Sequence, residues 1–400
     1  MIDSELTDSR TGKNTQHRLL ALLRQSVYSR LAGYDDTNDA ERVSVDPAMR
    51  QVVGGRAKER TAVSTSLMGR FETEILTQPT NMELLKNLSG QWVDKVCRRK
   101  PLKQIILDMD SSVSPTHGNQ EGTAYNGYFQ CTCYHPLFCF NQFGDMKQAS
   151  VRNGNVHSAD NWQSVLEPII LRYRYSDIPR FFRGDAGFAD PNIYRYLEAE
   201  DYFYAIRLKG NQILQDKIEH LLTRPVGRPP NKPIVKYHSF RYQAASWNID
   251  RRVVAKIEWH AEELFPRIGF IVTNLRWKHS NVVKFYNKRG TAEQWIKEGK
   301  YALNWTRLSC HAFVDNQVRL QLVALAYNLG NFLRRLALPR RVRQWSLRTL
   351  RVKLIKIGAK VIRHSRYMIF QMAEVLVSKR LFQEILERIH RLKPVPIGYG

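Results

Sequence analysis

No run of roughly eighteen apolar residues occurs in this chain, which excludes a membrane-spanning helix on sequence grounds. No signal-peptide pattern opens it, so the cytosol is the expected compartment. Paired CxxC…CxxC and CxxC…HxxxH spacings are also missing, which excludes the common zinc frameworks. The five cysteines, Cys97, Cys131, Cys133, Cys139 and Cys310, are an odd count and read as reduced core or strand residues. Acid is scarce: 37 Asp+Glu against 62 Lys+Arg leave a net charge of +25. With a pI near 10.0, the chain is far too basic for a typical metabolic enzyme, and a polyanionic partner is expected.

The positive charge is unevenly placed. Residues 331–400 hold 17 Lys/Arg against three acids (Glu374, Glu384, Glu387), a surplus of +14 and more than half of the total. Such a segment suits the backbone of nucleic acid, with Arg340, Arg341 and Arg343 as candidate DNA contacts. Anionic membrane is the rival polyanion, but the missing apolar run leaves no membrane partner to expect. At 400 residues and 43% hydrophobic content the chain can bury one large core or two to three domains.

Hydrophobic spacing sets the order of elements. Residues 1–17 are polar and read as a disordered tail, and 18–100 carry helical spacing only, in RLLALLRQSVYSRLAGY, TSLMGRFETEI and NMELLKNLSGQWVDKVC. At 101–208 the period changes: QIILDMDSS is a compact apolar strand, a Gly-rich turn follows, and strands then alternate with helices. RPVGRPPNKP breaks the pattern, and three strand candidates within 209–284 read as an inserted β module. A helical stretch and a long apolar helix fill 285–338. A basic region with a helix, a hairpin and a last helix occupies 339–400. The fold class expected is α/β: a mixed sheet flanked by helices, with the inserted β module, a helical N-terminal region and a basic C-terminal region.

The stretch YNKRGTAEQWIKEGKYAL carries Tyr286, Arg289, Glu293 and Lys300 at steps of 3, 7 and 14 from the tyrosine. At about 100° per residue these land near −60°, −20° and −40°, one narrow stripe of a single helix. Phe285, Ala292, Ile296 and Leu303 fall on the neighbouring stripe and form a docking seam. A carboxylate between cations at the rim of a packed face suits a metal-and-phosphate site, although ordinary i,i+4 charge pairs on a solvated face would look the same. Mg²⁺ needs hard oxygen ligands from elements that meet in space, and three places qualify: Asp108 and Asp110 at the end of ILDMDSS, Asp185 in FRGDAGF, and Glu293. Asp110 and Asp185 could equally be turn residues.

Taken in order, D-S after a first strand, G-D-x-G-F after a later one, and Y-x2-R-x3-E-x6-K resemble the DDE transposases of bacterial insertion sequences, which have an RNase H-like core. LDMDSSVSPTHGNQEG, YHPLF, RGDAGF and AYNLGNFLRRL resemble the subgroup named after insertion sequence thirteen-eighty, and the likeness spans roughly residues 20–393. The resemblance implies cut-and-paste transposition with Mg²⁺, for which Mn²⁺ can substitute. Asp110, Asp185 and Glu293 would be the catalytic, metal-binding triad, Arg289 and Lys300 would grip phosphates, and Tyr286 would orient them. Alternation puts Asp108 on the face of Asp110, so it too could approach the metal; the resemblance favours Asp110. It further implies double-stranded DNA as partner, both terminal inverted repeats and target, a homodimer on that DNA, and a place at the bacterial nucleoid. Members commonly begin some tens of residues earlier and carry Leu-Arg before Asp-Pro where this chain has ERVSVDPAM, so its start is expected to be truncated. A DNA-binding remnant without cutting activity is the alternative.

Tryptophans in the β module are the last candidates. Trp247, Trp259 and Trp277 lie among cations such as Arg251, Arg252 and Lys256, where an indole could stack on an unpaired base while an arginine such as Arg252 holds the backbone. Trp247, before an Asn-Ile-Asp turn, is the one expected to be exposed; the competing reading is that all three pack the module's own core.

Overall fold

Ile105–Ser111 (β1), the run IILDMDS, is buried on both faces for most of its length, as an interior strand of a covered sheet must be. In the computed structural model it lies inside an eight-stranded mixed sheet. The structure describes residues 5–11, 15–224, 226–227, 232–261, 263–364, 367–373 and 377–392. The other strands are β2 (Leu137–Asn141), β3 (Met146–Ser150), β4 (Arg180–Gly184), β5 (Phe203–Leu208), β6 (Ile234–Tyr242), β7 (Arg251–Trp259) and β8 (Arg267–Thr273). Their spatial order is β3-β2-β1-β4-β5-β8-β7-β6. β1 pairs antiparallel with β2 and parallel with β4, and β4 pairs parallel with β5. This third-second-first-fourth-fifth arrangement is the RNase H-like core expected from the sequence.

Parallel neighbours need crossover connections, and helices provide them: α3 (Gln163–Tyr173) before β4 and α4 (Pro191–Ala199) before β5. Both pack on one face, where Ile105, Leu107 and Met109 of β1 meet Val165, Leu166 and Ile169 of α3 and Ile193 and Leu197 of α4. The opposite face is covered by α1 (Leu19–Ala32), α2 (Pro79–Arg98), α5 (His279–Asn287), α6 (Gly290–Leu303) and α7 (Phe313–Phe332). α7 does more than fill space. β3 is an edge strand, and Asn328 accepts from Met146 N at 2.8 Å, Gln321 donates to Ala149 O at 2.8 Å and Gln317 accepts from Val151 N at 2.7 Å. Side-chain amides of a buried helix thus satisfy backbone groups that an open edge would leave unpaired.

The strands of 209–284 are inserted between β5 and α5, as expected, and they do not stand apart: β8 pairs antiparallel with β5, Phe270 opposite Leu208, so β6–β8 extend the core sheet. The free edge of β5 offers unpaired N–H and C=O groups, and β8 takes them. Within the supposed disordered tail, Thr7 N donates to Asn81 Oδ1 at 2.9 Å and Thr7 O accepts from Asn81 Nδ2 at 2.9 Å, which docks that part of the tail on α2. The stretch 286–303 is not one helix: it breaks at Lys288–Arg289, where Arg289 N bonds Tyr286 O at 2.8 Å and Ala292 N bonds Arg289 O at 2.7 Å. These are i→i−3 bonds, a tightened turn at a site flanked by the weak helix formers Asn287 and Gly290. The segment after 339 is anchored to the rest of the fold, because Leu347 is buried in the main core with Leu325 and Tyr327. Beyond it lie a hairpin of Ala359–His364 with Tyr367–Met372 and the helix α8 (Lys379–His390).

The seam of the α5–α6 pair buries as expected: Phe285 beside Ile106 and Phe181, and Ile296 and Leu303 in the α7 core. Each contributes on the order of 1.5–3 kcal/mol of burial. Gly299 lets α6 sit there, since a Cβ at that position would lie 2.2 Å from the buried Trp305 ring. All five cysteines are unpaired thiols. Among the described residues no helix is long and apolar enough to cross a membrane.

Candidate active site

Alternation along β1 sends Ile106, Asp108 and Asp110 to the face that α5 and α6 cover. The sheet register sets Asp108 opposite Arg183 of β4. Both Asp108 oxygens are taken, by Arg183 Nε at 2.7 Å and Nη2 at 2.6 Å, and Arg183 Nη1 donates to Phe285 O at 2.9 Å. Burial pushes the Asp108 carboxyl above its usual range, against the pull of the two Arg183 bonds. The sequence reading of Asp108 as a possible metal ligand is corrected here: the side chain is fully buried with each oxygen held by Arg183, and the pair ties β1 and β4 to the end of α5.

Asp110 lies one alternation further on, where the strand reaches the open end of the sheet, and remains only 8% exposed. Asp185 follows β4 directly and is half-exposed, with its Oδ1 accepting from Gly187 N at 2.8 Å. Between them stands Arg289, buried at the kink, with Nη2 3.1 Å from Asp110 Oδ2 and 3.5 Å from Asp185 Oδ2. Two acids separated by 75 residues in the chain thus share one guanidinium nitrogen. Burial pushes the Asp110 carboxyl up, Arg289 pulls it down, Asp185 and Glu293 push it up again, and the outcome is about 6. For Arg289 burial opposes the charge, but Asp110 and Asp185 outweigh it and hold the guanidinium above its usual value.

Glu293 lies in the first turn of α6, exposed, and its charge is felt at Asp110. Seven residues on, Lys300 sits about 10 Å along the helix, half-buried and lowered by that burial. The Tyr286 hydroxyl is raised by burial, with Arg289 and Arg207 pulling it down. The structure therefore brings Asp110, Asp185, Arg289, Tyr286 and Glu293 to one end of the central strands, with Lys300 further along α6. The stripe drawn on a single helix is split by the kink, which turns Arg289 inward while Glu293 faces solvent.

The family model for the transposase DDE domain, group 1, matches residues 1–394. This chain belongs to that family. The domain is one of nucleases and transesterases that in general use divalent metal ions. No curated protein matches the chain. Among solved structures, the chain is similar to the cryo-EM structure of a piggyBac transposase synaptic complex with hairpin DNA, at 10% identity and a TM-score of 0.42, covering 82% of this chain and 72% of that one.

For such a DDE domain the donors fit a hard divalent ion by chemistry. Asp110, Asp185 and Glu293 are carboxylates from three elements, near enough for the latter two to raise the first, and Arg289 Nε and Nη2 are buried without a hydrogen-bond partner. Among the described residues no three His, Cys, Asp or Glu side chains yet close on one point, and Arg289 stands between two of them.

Other expected contacts of the transposase domain are placed differently. Trp247 is 5% exposed and packs edge-on against Tyr194 and Tyr242, with the Arg251 guanidinium 5.6 Å from its ring. The expectation that it is exposed is corrected, because the strands before and after it join the core sheet and fold it onto α4. Trp277 is the exposed one of the three. Arg252 braces the sheet, its Nε on Ser239 Oγ at 2.8 Å and its Nη1 on the carbonyls of Leu275 and Trp277 at 2.6 and 2.8 Å, so those groups are not offered to DNA. Arg340, Arg341 and Arg343 are exposed, and Arg341 pairs with Glu384 at 2.6 Å.

Sequence reasoning missed three residues. Arg183 holds Asp108, and only the strand register would have shown it. Ser158 places its Oγ 3.2 Å from Ser111 Oγ, beside Asp110, on a loop that Arg152 gathers through the carbonyls of His157, Ser158 and Asp160. Arg207 is exposed on β5, and its charge reaches Tyr286. The RFFRGD run, with two arginines just before one aspartate, was the one visible hint.

Proposed function

We propose that this chain carries out cut-and-paste transposition of a bacterial insertion sequence. Water attacks the phosphodiester at the element's end, and the freed 3′-hydroxyl then attacks a phosphodiester of the target. The observation that carries the reading is the sharing of Arg289 Nη2 by Asp110 and Asp185, with Glu293 one turn away, in the order that the DDE pattern requires. Asp110, Asp185 and Glu293 would hold Mg²⁺, or Mn²⁺ in its place; the bound ion supplies charge stabilisation to the attacking and leaving oxygens. Arg289 and Lys300 bind phosphate oxygens, the first by a planar fork and the second as a point charge, and Tyr286 orients the strand from the end of α5. The Asp108–Arg183 pair keeps β1, β4 and α5 in register, and so keeps Asp110, Asp185 and Arg289 facing one another.

The partner is double-stranded DNA, both the terminal inverted repeats and the target, bound by a homodimer at the nucleoid of the bacterial cytoplasm. The excess of +14 over residues 331–400 supports an extended phosphate contact. The test is Glu293→Gln in a Mg²⁺- or Mn²⁺-dependent nicking assay on DNA that carries the element's ends. Glu293 is exposed and outside the seam, so the variant folds and binds DNA but does not cut. Cutting at the wild-type rate would refute the triad, and an intact wild type that binds but never nicks would favour the DNA-binding remnant.

A further inference from the structure

We propose that Arg289 is a gate on the acidic centre. In the DNA-free protein it occupies the position between Asp110 and Asp185, and a DNA phosphate draws it away and opens both carboxylates to a divalent cation. The inference rests on the reading of those aspartates as metal ligands and adds a regulation to it.

Two buried arginines in the same face make the contrast. Every nitrogen of Arg183 is hydrogen-bonded: Nε and Nη2 donate to Asp108 and Nη1 donates to Phe285 O. A guanidinium held in that way has no reason to move. Arg289 is as deeply set, yet Nε and Nη2 make no hydrogen bond. Its approach to Asp110 at 3.1 Å and to Asp185 at 3.5 Å is an attraction of charges without donor alignment. Buried donors left unmade are costly, so this arrangement is poised to exchange two poorly aligned carboxylates for an acceptor that matches the fork, and a phosphodiester is such an acceptor.

The backbone permits the exchange. Arg289 sits in the tightened turn between α5 and α6 instead of inside a helix, and the next residue, Gly290, has open space where a Cβ would be. Once the guanidinium leaves, Asp110 and Asp185 face each other with no cation between them, and a divalent ion gains what Arg289 gives up. Metal and DNA must then favour each other's binding by the same factor, since linkage is reciprocal. Metal-charged protein without DNA is disfavoured, which limits cutting away from the bound substrate.

The test measures Mn²⁺ binding to the full chain by paramagnetic resonance of the free ion, with and without a short synthetic duplex. Arg289→Gln is expected to bind Mn²⁺ on the order of tenfold more tightly than wild type in the absence of DNA. The duplex should tighten wild type by a similar factor and leave Arg289→Gln unchanged. Circular dichroism checks folding; should Arg289→Gln not fold, Arg289→Lys, which keeps the charge and loses the fork, carries the comparison and is expected to show a weaker effect of the duplex. Equal Mn²⁺ affinity in wild type and Arg289→Gln, lost in both on adding Asp110→Asn, overturns the gate and leaves the metal site standing. Absence of any Asp110-dependent Mn²⁺ binding in either protein overturns both.

Discussion

Replacing Asp110 with Asn should make the protein more stable at neutral pH while removing its chemistry. The carboxyl is buried at the end of β1, and its pKa is raised from 3.8 to about 6. A carboxylate raised in the folded state costs stability wherever it is ionised there, that is, above about pH 6. As pH falls from about 6 to about 4 the folded protein takes up the proton first, and the cost is relieved; below that range the folded and unfolded chains are both protonated and nothing remains. A shift of about two units at roughly 1.4 kcal/mol each makes the cost about 3 kcal/mol at neutral pH. Asparagine imitates the protonated acid, so Asp110→Asn should gain up to that amount, a figure that already contains the loss of attraction to Arg289. The assay is equilibrium unfolding in urea at several pH values for both proteins. The two stability curves should converge near pH 4 and separate towards neutrality, with the variant above. An Asn variant less stable than wild type at neutral pH, or a gap that does not change with pH, would refute the reasoning. A site that destabilises its own fold is expected where carboxylates are gathered for use rather than for packing.

Further outcomes follow from the same geometry. Asp108→Ala should cost about 3–5 kcal/mol, because it strands the buried Arg183, and the pair Asp108→Leu with Arg183→Met should restore much of it; chemical denaturation measures both. Trp247→Ala should cost about 3–5 kcal/mol of stability and affect both strand-cleavage steps equally, since the indole packs on Tyr194 and Tyr242; a selective loss of the second step would instead mark a base-stacking role. DNA affinity should fall steeply with salt, and neutralising the exposed Arg340 and Arg343 to Gln should lower the slope of log affinity on log salt by about 1–2. Removal of everything after Gly330 would be a poor test of the same point, because Gly330 lies inside α7 and Leu347 belongs to the main core.

Local chemistry in the sequence determined a good deal. The change from helical spacing to the compact run IILDMDS placed β1, the apolar seam Phe285, Ala292, Ile296 and Leu303 is buried as its spacing required, and the last region holds the expected hairpin and last helix, with the expected first helix there short, at Leu347–Leu350. Periodicity reports which side of an element meets the core, and burial obeys it. Motif order also carried the family, because the two aspartates and the glutamate are held at fixed ends of strands and at a helix start.

Only the tertiary structure decided what those elements meet. Whether Asp108 or Asp110 is open depends on which β4 residue lies opposite, and Arg183 in register with Asp108 withdraws the first and leaves the second. The three late strands alternate identically whether they form a separate module or extend the sheet; the free edge of β5 chose the latter, and with it the burial of Trp247. The turn at Lys288–Arg289 breaks a helix that the wheel drew as continuous and sets Arg289 between two acids that lie 179 and 104 positions before it in the chain. Pairing register, edge saturation and a backbone kink are relations between distant segments, and a pattern read along one segment contains none of them.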